Sequence, residues 1–511
     1  MVVAPEAGRS YCRRLRTAIG RYSAIALALI AYLALTIAAS RARTPWSDEG
    51  HLASPGYNLA TKGFMGTTIF GANFLPGLEQ HTYYLMPLGI AAQASVYRLF
   101  GFGLLPMRML SVVCGILAVA AWYLLVRQFS GHRPVAYLSA LILITDYLFL
   151  MGASFGRLDV ICMALGSAGL AAYVTLRERS LVLALFLGHG AVAMSGLTHP
   201  LGLLYFFGLC FLMMHYDGRR VLRAQPLIAC AVPYAIGAAA WGWYILQNPS
   251  DFVHQFVFGL GVGDRGSTLH APWKALWSEI NDRYLRAFGL REHNQGSTGP
   301  IFLKGLVLLA YICGVAGSIA IPSIRRSPAF KPLMGLTAIF FILMTLVEGQ
   351  RLSVYLVHII PLYSALLALL VYEVVRQRIV PRALAGIALA GLVSLQLGGV
   401  VLQIRHDPYH KTFAPPMQFV RSQLQPGELI MGGSHLGFAL GLDGQLVDDN
   451  TLGYRTGRTP DWVVVEEHYQ QNFASIQSSD PAAYANIQRV LAAYSKVYDE
   501  DGYAIYRRPG A

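Results

Sequence analysis

Charge is scarce in this chain of 511 residues: Asp, Glu, Lys and Arg make up only 13% of it. Soluble domains carry roughly 25%, so a soluble protein of about three domains, the usual expectation for this length, is excluded. No CxxC pair occurs, and the six cysteines (Cys12, Cys114, Cys162, Cys210, Cys230 and Cys313) are thinly spread. That excludes a secreted disulfide scaffold, and the cysteines read as small buried hydrophobes. There is no internal repeat, no low-complexity tract and no convincing P-loop or dinucleotide fingerprint. Gly432-Gly433-Ser434-His435 is too short for one and reads as a turn at a strand end. What the chain does have is apolar residues, 55% of the total, and a mean hydropathy of +0.46. Disorder is thereby excluded, and a polytopic membrane protein remains.

The net charge is +13, from 40 Lys+Arg against 27 Asp+Glu. We read it as basic loops on one side of a membrane, not as a nucleic-acid surface. A span needs about 20 apolar residues. The first is Tyr22–Ser40, preceded by Arg9, Arg13, Arg14, Arg16 and Arg21. Its apolar run is longer than that of a signal peptide, so it is expected to stay uncleaved with the N-terminus in the cytoplasm. Further runs lie near 108–126, 134–151, 158–176, 181–197, 200–216, 226–247, 301–321, 331–347, 353–373 and 381–402, about eleven spans in all. The stretch 83–100 is ambiguous. If it lies along the outer surface, Arg127/Arg133, Arg177/Arg179, Arg219/Arg220/Arg223, Arg325/Arg326/Lys331 and Arg376/Arg378/Arg382 all fall inside, whereas a crossing would turn every one outward. The reading is an all-α polytopic bundle over 1–404, with a first outer loop at 41–107 and a second at 248–300. A small extracytoplasmic α/β domain follows over 405–511, with strand-like Trp462–Val465, helix-like 481–494 and alternating Tyr503–Tyr506.

Four features carry chemistry. Asp48 and Glu49, in Trp46-Ser47-Asp48-Glu49-Gly50-His51, follow the first span directly. Acids at a membrane edge are costly unless solvated or used, so they read either as a helix-end pair or as a carboxylate that takes a proton from a hydroxyl. Gly156-Arg157-Leu158-Asp159 occupies a tight turn on the same side, with Asp146 slightly deeper; the bland reading is an ion pair capping the next helix. Arg108 begins the second span, and Arg351 ends the ninth, followed by Tyr355, His358 and Pro361. Arg108, Arg157 and Arg351 thus lie on the outer side, where loop topology gives them no reason to be. Arginine matches phosphate in bidentate geometry. Each alone could be snorkelling at the interface, but three beside outer carboxylates favour a phosphate ligand. Together they suggest a lipid-linked sugar phosphate as donor, its phosphate on the arginines and its tail in the bilayer, with a carboxylate opposite to activate an acceptor hydroxyl and no nucleotide needed.

At these residues the sequence resembles the GT-C membrane glycosyltransferases, nearest to the protein O-mannosyltransferase and lipid A aminoarabinose transferase group. Asp48-Glu49 resembles the acidic motif of the first loop. Met107-Arg108-Met109-Leu110-Ser111 with Gly115 and Tyr123-Leu124 resembles the second span, and Arg157-Leu158-Asp159 the Arg/Asp turn. Arg351 with Tyr355 and Pro361 is similar to the late basic residue and Tyr…Pro pattern, and His270-Ala271-Pro272-Trp273 to a His-x-Pro-aromatic element. The likeness covers roughly 10–405. A departure lies at Gln80-His81-Thr82-Tyr83-Tyr84, where the family often has His-Pro-Pro-Leu or Lys-Pro; His81 takes that place, ahead of His199.

The resemblance implies an inverting transfer from a polyprenyl-phosphate sugar to a hydroxyl of a protein, lipid A or a polysaccharide, in a bacterial plasma (inner) membrane with the site facing the periplasm. Asp48 would be the general base, with Glu49 and Asp159 assisting. Arg108 and Arg351 would hold the donor phosphate, with Arg157 either joining them or pairing with Asp159. His51, His81, Tyr83, His270 and Tyr355 would bind substrate. No cofactor is required by this scheme. A divalent metal stays open, because carboxylates and His51, His81 or His270 are near but their spacing defines no ligand set. The expected partners are the donor lipid, the acceptor and membrane lipids, and no nucleic acid. Two alternatives compete. A lipid-linked glycan transporter or flippase should show paired repeats and midplane ionisable groups, of which His189 is the main one here. A non-catalytic subunit would keep the bundle without needing Asp48.

Overall fold

The computed structural model describes residues 27–70, 75–261, 270–291 and 301–510. The basic run before the first span, Cys12 and the start of that span lie outside the described residues. Helix α1 (Leu27–Ala42) ends just before Pro45, which has no N–H to give and disfavours helix in the residue before it. The chain turns there by 95° into α2 (Ser47–Thr61). Helix α2 packs on α3 (Pro87–Phe100), and the pair forms a short layer across one end of the bundle. Helix α3 has only 14 residues, about 21 Å against an apolar bilayer core of about 30 Å, too short to cross.

The bundle continues through α4 (Leu104–Ser130), α5 (Arg133–Thr145), α6 (Tyr147–Ala153), α7 (Asp159–Leu176), α8 (Leu181–Gly196), α9 (Gly202–Tyr216) and α10 (Ala224–Ile245). Helices α11 (Pro249–Gly261) and α12 (Pro272–Ser278) follow, then α13 (Ile301–Ala320), α14 (Pro322–Arg325), α15 (Phe330–Val347), α16 (Ile360–Arg376) and α17 (Arg382–His406). Among the described residues, every expected apolar run is largely helical. Among the described residues, six helices are singly long and apolar enough to cross a bilayer, or up to eight if the bent pairs α1–α2 and α5–α6 each count once. The 65° break between α5 and α6 is stitched by Asp146, which accepts from Phe149 N at 2.8 Å, Tyr311 Oη at 2.6 Å and Gln396 Nε2 at 3.1 Å. Asp146 is therefore part of the frame of the bundle.

Contacts fix which turns share an end. Arg108 and Ser154 reach the end of α1, while Arg177 stacks on Tyr216 and Ser323 bonds Glu373 at the other end. The basic turns after α4, α7, α9, α13 and α16 gather at that second, remote end.

After α17 come a π-helical turn and α18 (Ala414–Gln423). A sheet follows, formed by β1 (Ile430–Met431), β2 (Leu446–Val447), β3 (Trp462–Val465), β4 (Ser495–Glu500) and β5 (Tyr503–Arg507), with α19 (Gly437–Leu440), α20 (Glu467–Ser479) and α21 (Pro481–Ala493) between. The order is β2-β1-β3-β5-β4, parallel across the first three strands and antiparallel across the rest. One face packs on α20 and α21 through Val463, Val465, Tyr469 and Ile487. The other shares a core with the first loop, where Ile69, Phe70 and Met107 meet Phe413, Ile430 and Trp462. The loop also covers the open β2 edge, because Asp448 N donates to Ile69 O at 2.6 Å in a parallel bridge. An unpaired edge is a liability, and here the first loop caps it.

Helix α2 meets the same domain with no spare room. Ser434 Oγ donates to Ser47 O at 2.9 Å, and a methyl on Gly50 would fall 2.3 Å from the Ser434 carbonyl carbon. Gly50→Ala is therefore expected to push the domain off α2, at about 1–3 kcal/mol. The measurement is limited proteolysis of membranes, in which the 405–511 region should become cleavable.

Candidate active site at the bundle end

Two carboxylates and one guanidinium form the centre. Asp48 sits in the first turn of α2, Arg157 in the turn between α6 and α7, and Asp159 begins α7. Arg157 Nε donates to Asp159 Oδ2 at 2.8 Å, Nη1 pairs with Asp48 Oδ2, and Nη2 reaches Tyr355 Oη at 3.5 Å. The guanidinium lies over the Trp46 ring at 5.1 Å. Burial alone would weaken the Arg157 cation, but Asp159 and Asp48 outweigh it and drive its pKa up. Asp48 keeps 37% of its side chain exposed, against 5% for Asp159. It is the carboxylate a solvent-borne group can reach.

Two cavities meet at Arg157 and Asp159. The larger, about 350 Å³, is lined by Asp48, His51, Tyr84, His199, Gln350 and Tyr355 among others. The smaller, about 180 Å³, runs along Tyr147, Met151, Phe155 and Ser353, with Arg43 as a second cation. Arg43 stacks on Phe155 at 4.2 Å and donates to Met151 O at 3.0 Å.

Several expectations from the sequence are corrected. Glu49 is fully buried and faces away from the cavities. Its oxygens accept Arg108 Nε at 2.8 Å and Nη2 at 2.7 Å, Gly156 N at 2.7 Å and Trp46 N at 3.1 Å. Burial would raise its pKa, but Arg108 and the two backbone donors hold it below the ordinary carboxylate value. Arg108 spends its remaining N–H groups on the carbonyls of Ser40, Arg43 and Thr44, so no donor is left for a phosphate. Arg351 is likewise buried. Its Nη1 donates to Glu279 Oε2 at 2.9 Å, and its Nη groups also reach the carbonyls of Ala275, Met344, Thr345 and Glu348. With Arg283, which bonds Glu279 and Glu348 at 2.8 Å each, it clamps the π-helical turn Glu279–Leu285 to the end of α15. Gln350 faces the cavity in its place.

Three substrate candidates also fall elsewhere. Tyr83 is buried, donating to Tyr244 O at 3.1 Å, and His81 stacks on it while contacting Gln247 at 3.2 Å. The cavity wall is formed by the next residue, Tyr84. His270 is exposed and lines neither cavity. His199, ranked behind His81 on sequence, lines the larger cavity with Nε2 3.8 Å from Asp159 Oδ1. His51 and Tyr355 do line it. Arg43 could have been found in the sequence, since it follows the first span on the side where no loop rule calls for an arginine. Asp448 carried no such signal.

As for a metal, Arg157 bridges Asp48 and Asp159, and no group of three or more His, Cys, Asp or Glu comes together among the described residues. No step below runs through a metal ion.

Residues 82–243, which carry Arg108, Arg157, Asp159 and His199, match the family model described as dolichyl-phosphate-mannose-protein mannosyltransferase. No curated protein sequence matches the chain. Among solved structures, ArnT from Cupriavidus metallidurans bound to undecaprenyl phosphate aligns over 96% of this chain and 98% of its own, at 14% identity and a TM-score of 0.63. Its apo state aligns over 95% and 98%, at 14% identity and 0.55. The oligosaccharyltransferase of Archaeoglobus fulgidus in its apo form aligns over 94% of this chain and 74% of its own, at 11% identity and 0.54. Bundle, loop layer and C-terminal domain are all inside these alignments, and the chain shares the fold of these proteins.

Proposed function

We propose that the chain transfers a sugar, hexose or pentose, from a polyprenyl-phosphate donor to a hydroxyl acceptor with inversion. The observation that carries this reading is the paired cavities that share Arg157, one offering two arginines along an apolar wall and the other an exposed carboxylate. In it, the donor phosphate lies against Arg157 and Arg43, whose guanidinium groups suit phosphate oxygens, with the lipid along Tyr147, Met151 and Phe155. The acceptor occupies the larger cavity. Its oxygen bonds the anomeric carbon as the carbon–phosphate oxygen bond breaks, and the polyprenyl phosphate leaves with the electron pair. Asp48 accepts the hydroxyl proton, and Asp159 fixes the Arg157 fork. The scheme uses no nucleotide or cofactor. The structure of ArnT bound to undecaprenyl phosphate and the mannosyltransferase match support the donor class. Because the basic turns gather at the remote end, we assign that end to the cytoplasm and the site to the outer face of the plasma membrane.

The test is mass spectrometry of envelope glycans and glycoproteins from a deletion host carrying the full chain, no chain, or Asp48→Asn at matched membrane levels. One sugar should vanish without the chain, and Asp48→Asn should lower it by roughly 10²- to 10⁴-fold. An unchanged glycan profile in the deletion host would reject the reading.

A further inference from the structure

Among the described residues, none of the C-terminal domain lines the larger cavity, yet the domain holds residues that do. Asp448, just past β2, holds His51 Nε2 with Oδ2 at 3.1 Å. His51 is one turn beyond Asp48 on α2, so both side chains project from one face of the helix into the cavity. Asp448 is itself fixed. It accepts from Ser434 N at 2.8 Å and Tyr469 Oη at 2.9 Å, and its backbone N donates to Ile69 O at 2.6 Å. The Phe70 ring packs on the imidazole, with centroids 4.6 Å apart. An ionised Asp448 carboxylate has no proton to give and can only accept from the imidazole, so the proton of that bond is on Nε2, and in the neutral ring Nδ1 is then the basic nitrogen. Burial would raise the Asp448 pKa, but His51 and the Ser434 and Tyr469 donors outweigh it and keep it below the ordinary value, ionised. Asp48, meanwhile, has Oδ2 committed to Arg157.

We propose that His51, oriented by Asp448 of the C-terminal domain, is a second proton acceptor for the acceptor hydroxyl beside Asp48. This rests on the glycosyltransferase reading above. The acceptor O–H bond breaks as its oxygen bonds the anomeric carbon. The proton passes by way of Asp48 to His51 Nδ1, and the carbon–oxygen bonding pair leaves on the polyprenyl phosphate. Asp448 is the positioning residue: it holds the tautomer and stabilises the imidazolium, and it does not touch substrate.

The experiment uses isolated membranes of the deletion host containing the full-length chain, which hold the native donor and acceptor. It follows the rate at which the missing glycan forms. His51→Gln is expected to slow that rate roughly 100-fold, in the range of a general base, and Asp448→Asn roughly 10-fold. His51→Gln/Asp448→Asn should be no slower than His51→Gln alone, because the two act through one atom pair. Asp448→Glu should recover part of the rate, and added imidazole should restore turnover in His51→Ala. Additive losses, or rates within about twofold of the parent for His51→Gln, would overturn the inference while leaving the glycosyltransferase reading intact. A deletion host that lacks no glycan would overturn both. Thermal midpoints of the purified variants separate a folding loss from a chemical one: a rate loss that tracks a lowered midpoint and is not restored by imidazole counts against the dyad.

Discussion

Glu49→Gln is expected to cut the amount of folded protein sharply and to leave any surviving chemistry close to normal. Glu49 and Arg108 have 0% side-chain exposure each, and the carboxylate accepts four donors from α4, the 156 turn and its own helix start. Removing one partner of such a buried pair costs about 3–5 kcal/mol, out of a total stability on the order of 5–15 kcal/mol. Arg108→Met should cost as much alone, while Glu49→Gln/Arg108→Met should lose less than the sum, because no uncompensated charge remains. The pH dependence has a definite sign. The folded-state pKa of Glu49 lies below its ordinary value of 4.5, so the pair's contribution is present at neutral pH and disappears as pH falls below that value. Recovery of monodisperse protein and its thermal midpoint in detergent check all three variants.

Arg157→Ala should sharply weaken binding of the lipid phosphate. The guanidinium bonds Asp159 at 2.8 Å, pairs with Asp48 and borders both cavities. Charge-assisted hydrogen bonds contribute about 1.5–3 kcal/mol each, so losing two to a phosphate weakens affinity by roughly 100-fold or more. Arg157→Lys keeps the charge but not the planar fork, and should fall between. Titration of purified protein with undecaprenyl phosphate measures this. If Arg157→Ala binds the lipid as the parent does, the phosphate lies elsewhere and Arg43 becomes the first place to look.

The sequence displayed its helices openly, because each is an apolar run and the bilayer demands such runs whatever the tertiary contacts. It also drew attention to the right neighbourhoods. What it could not resolve was adjacent residues. Asp48 and Glu49 differ by about 100° around α2, and that rotation separates a cavity carboxylate from a buried strut. Arg108 and Arg351 looked like Arg157, since all three break the loop-charge rule on the same side. Only the tertiary partners, Glu49 for one and Glu279 for the other, absorb two of them. Tyr83 and Tyr84 differ in the same way. Asp448 lies 397 positions from His51, and nothing local marks it.

That separation has a consequence for biosynthesis. The Ile69–Phe70 segment leaves the ribosome early and waits uncovered until β2, hundreds of residues later, arrives to pair with it. Contacts so distant in sequence form late. The His51–Asp448 contact is thus made only after the last helix has inserted and the terminal domain has docked, so a nascent or truncated chain embedded in the membrane lacks half of the dyad, and maturation of the centre is timed to completion of synthesis.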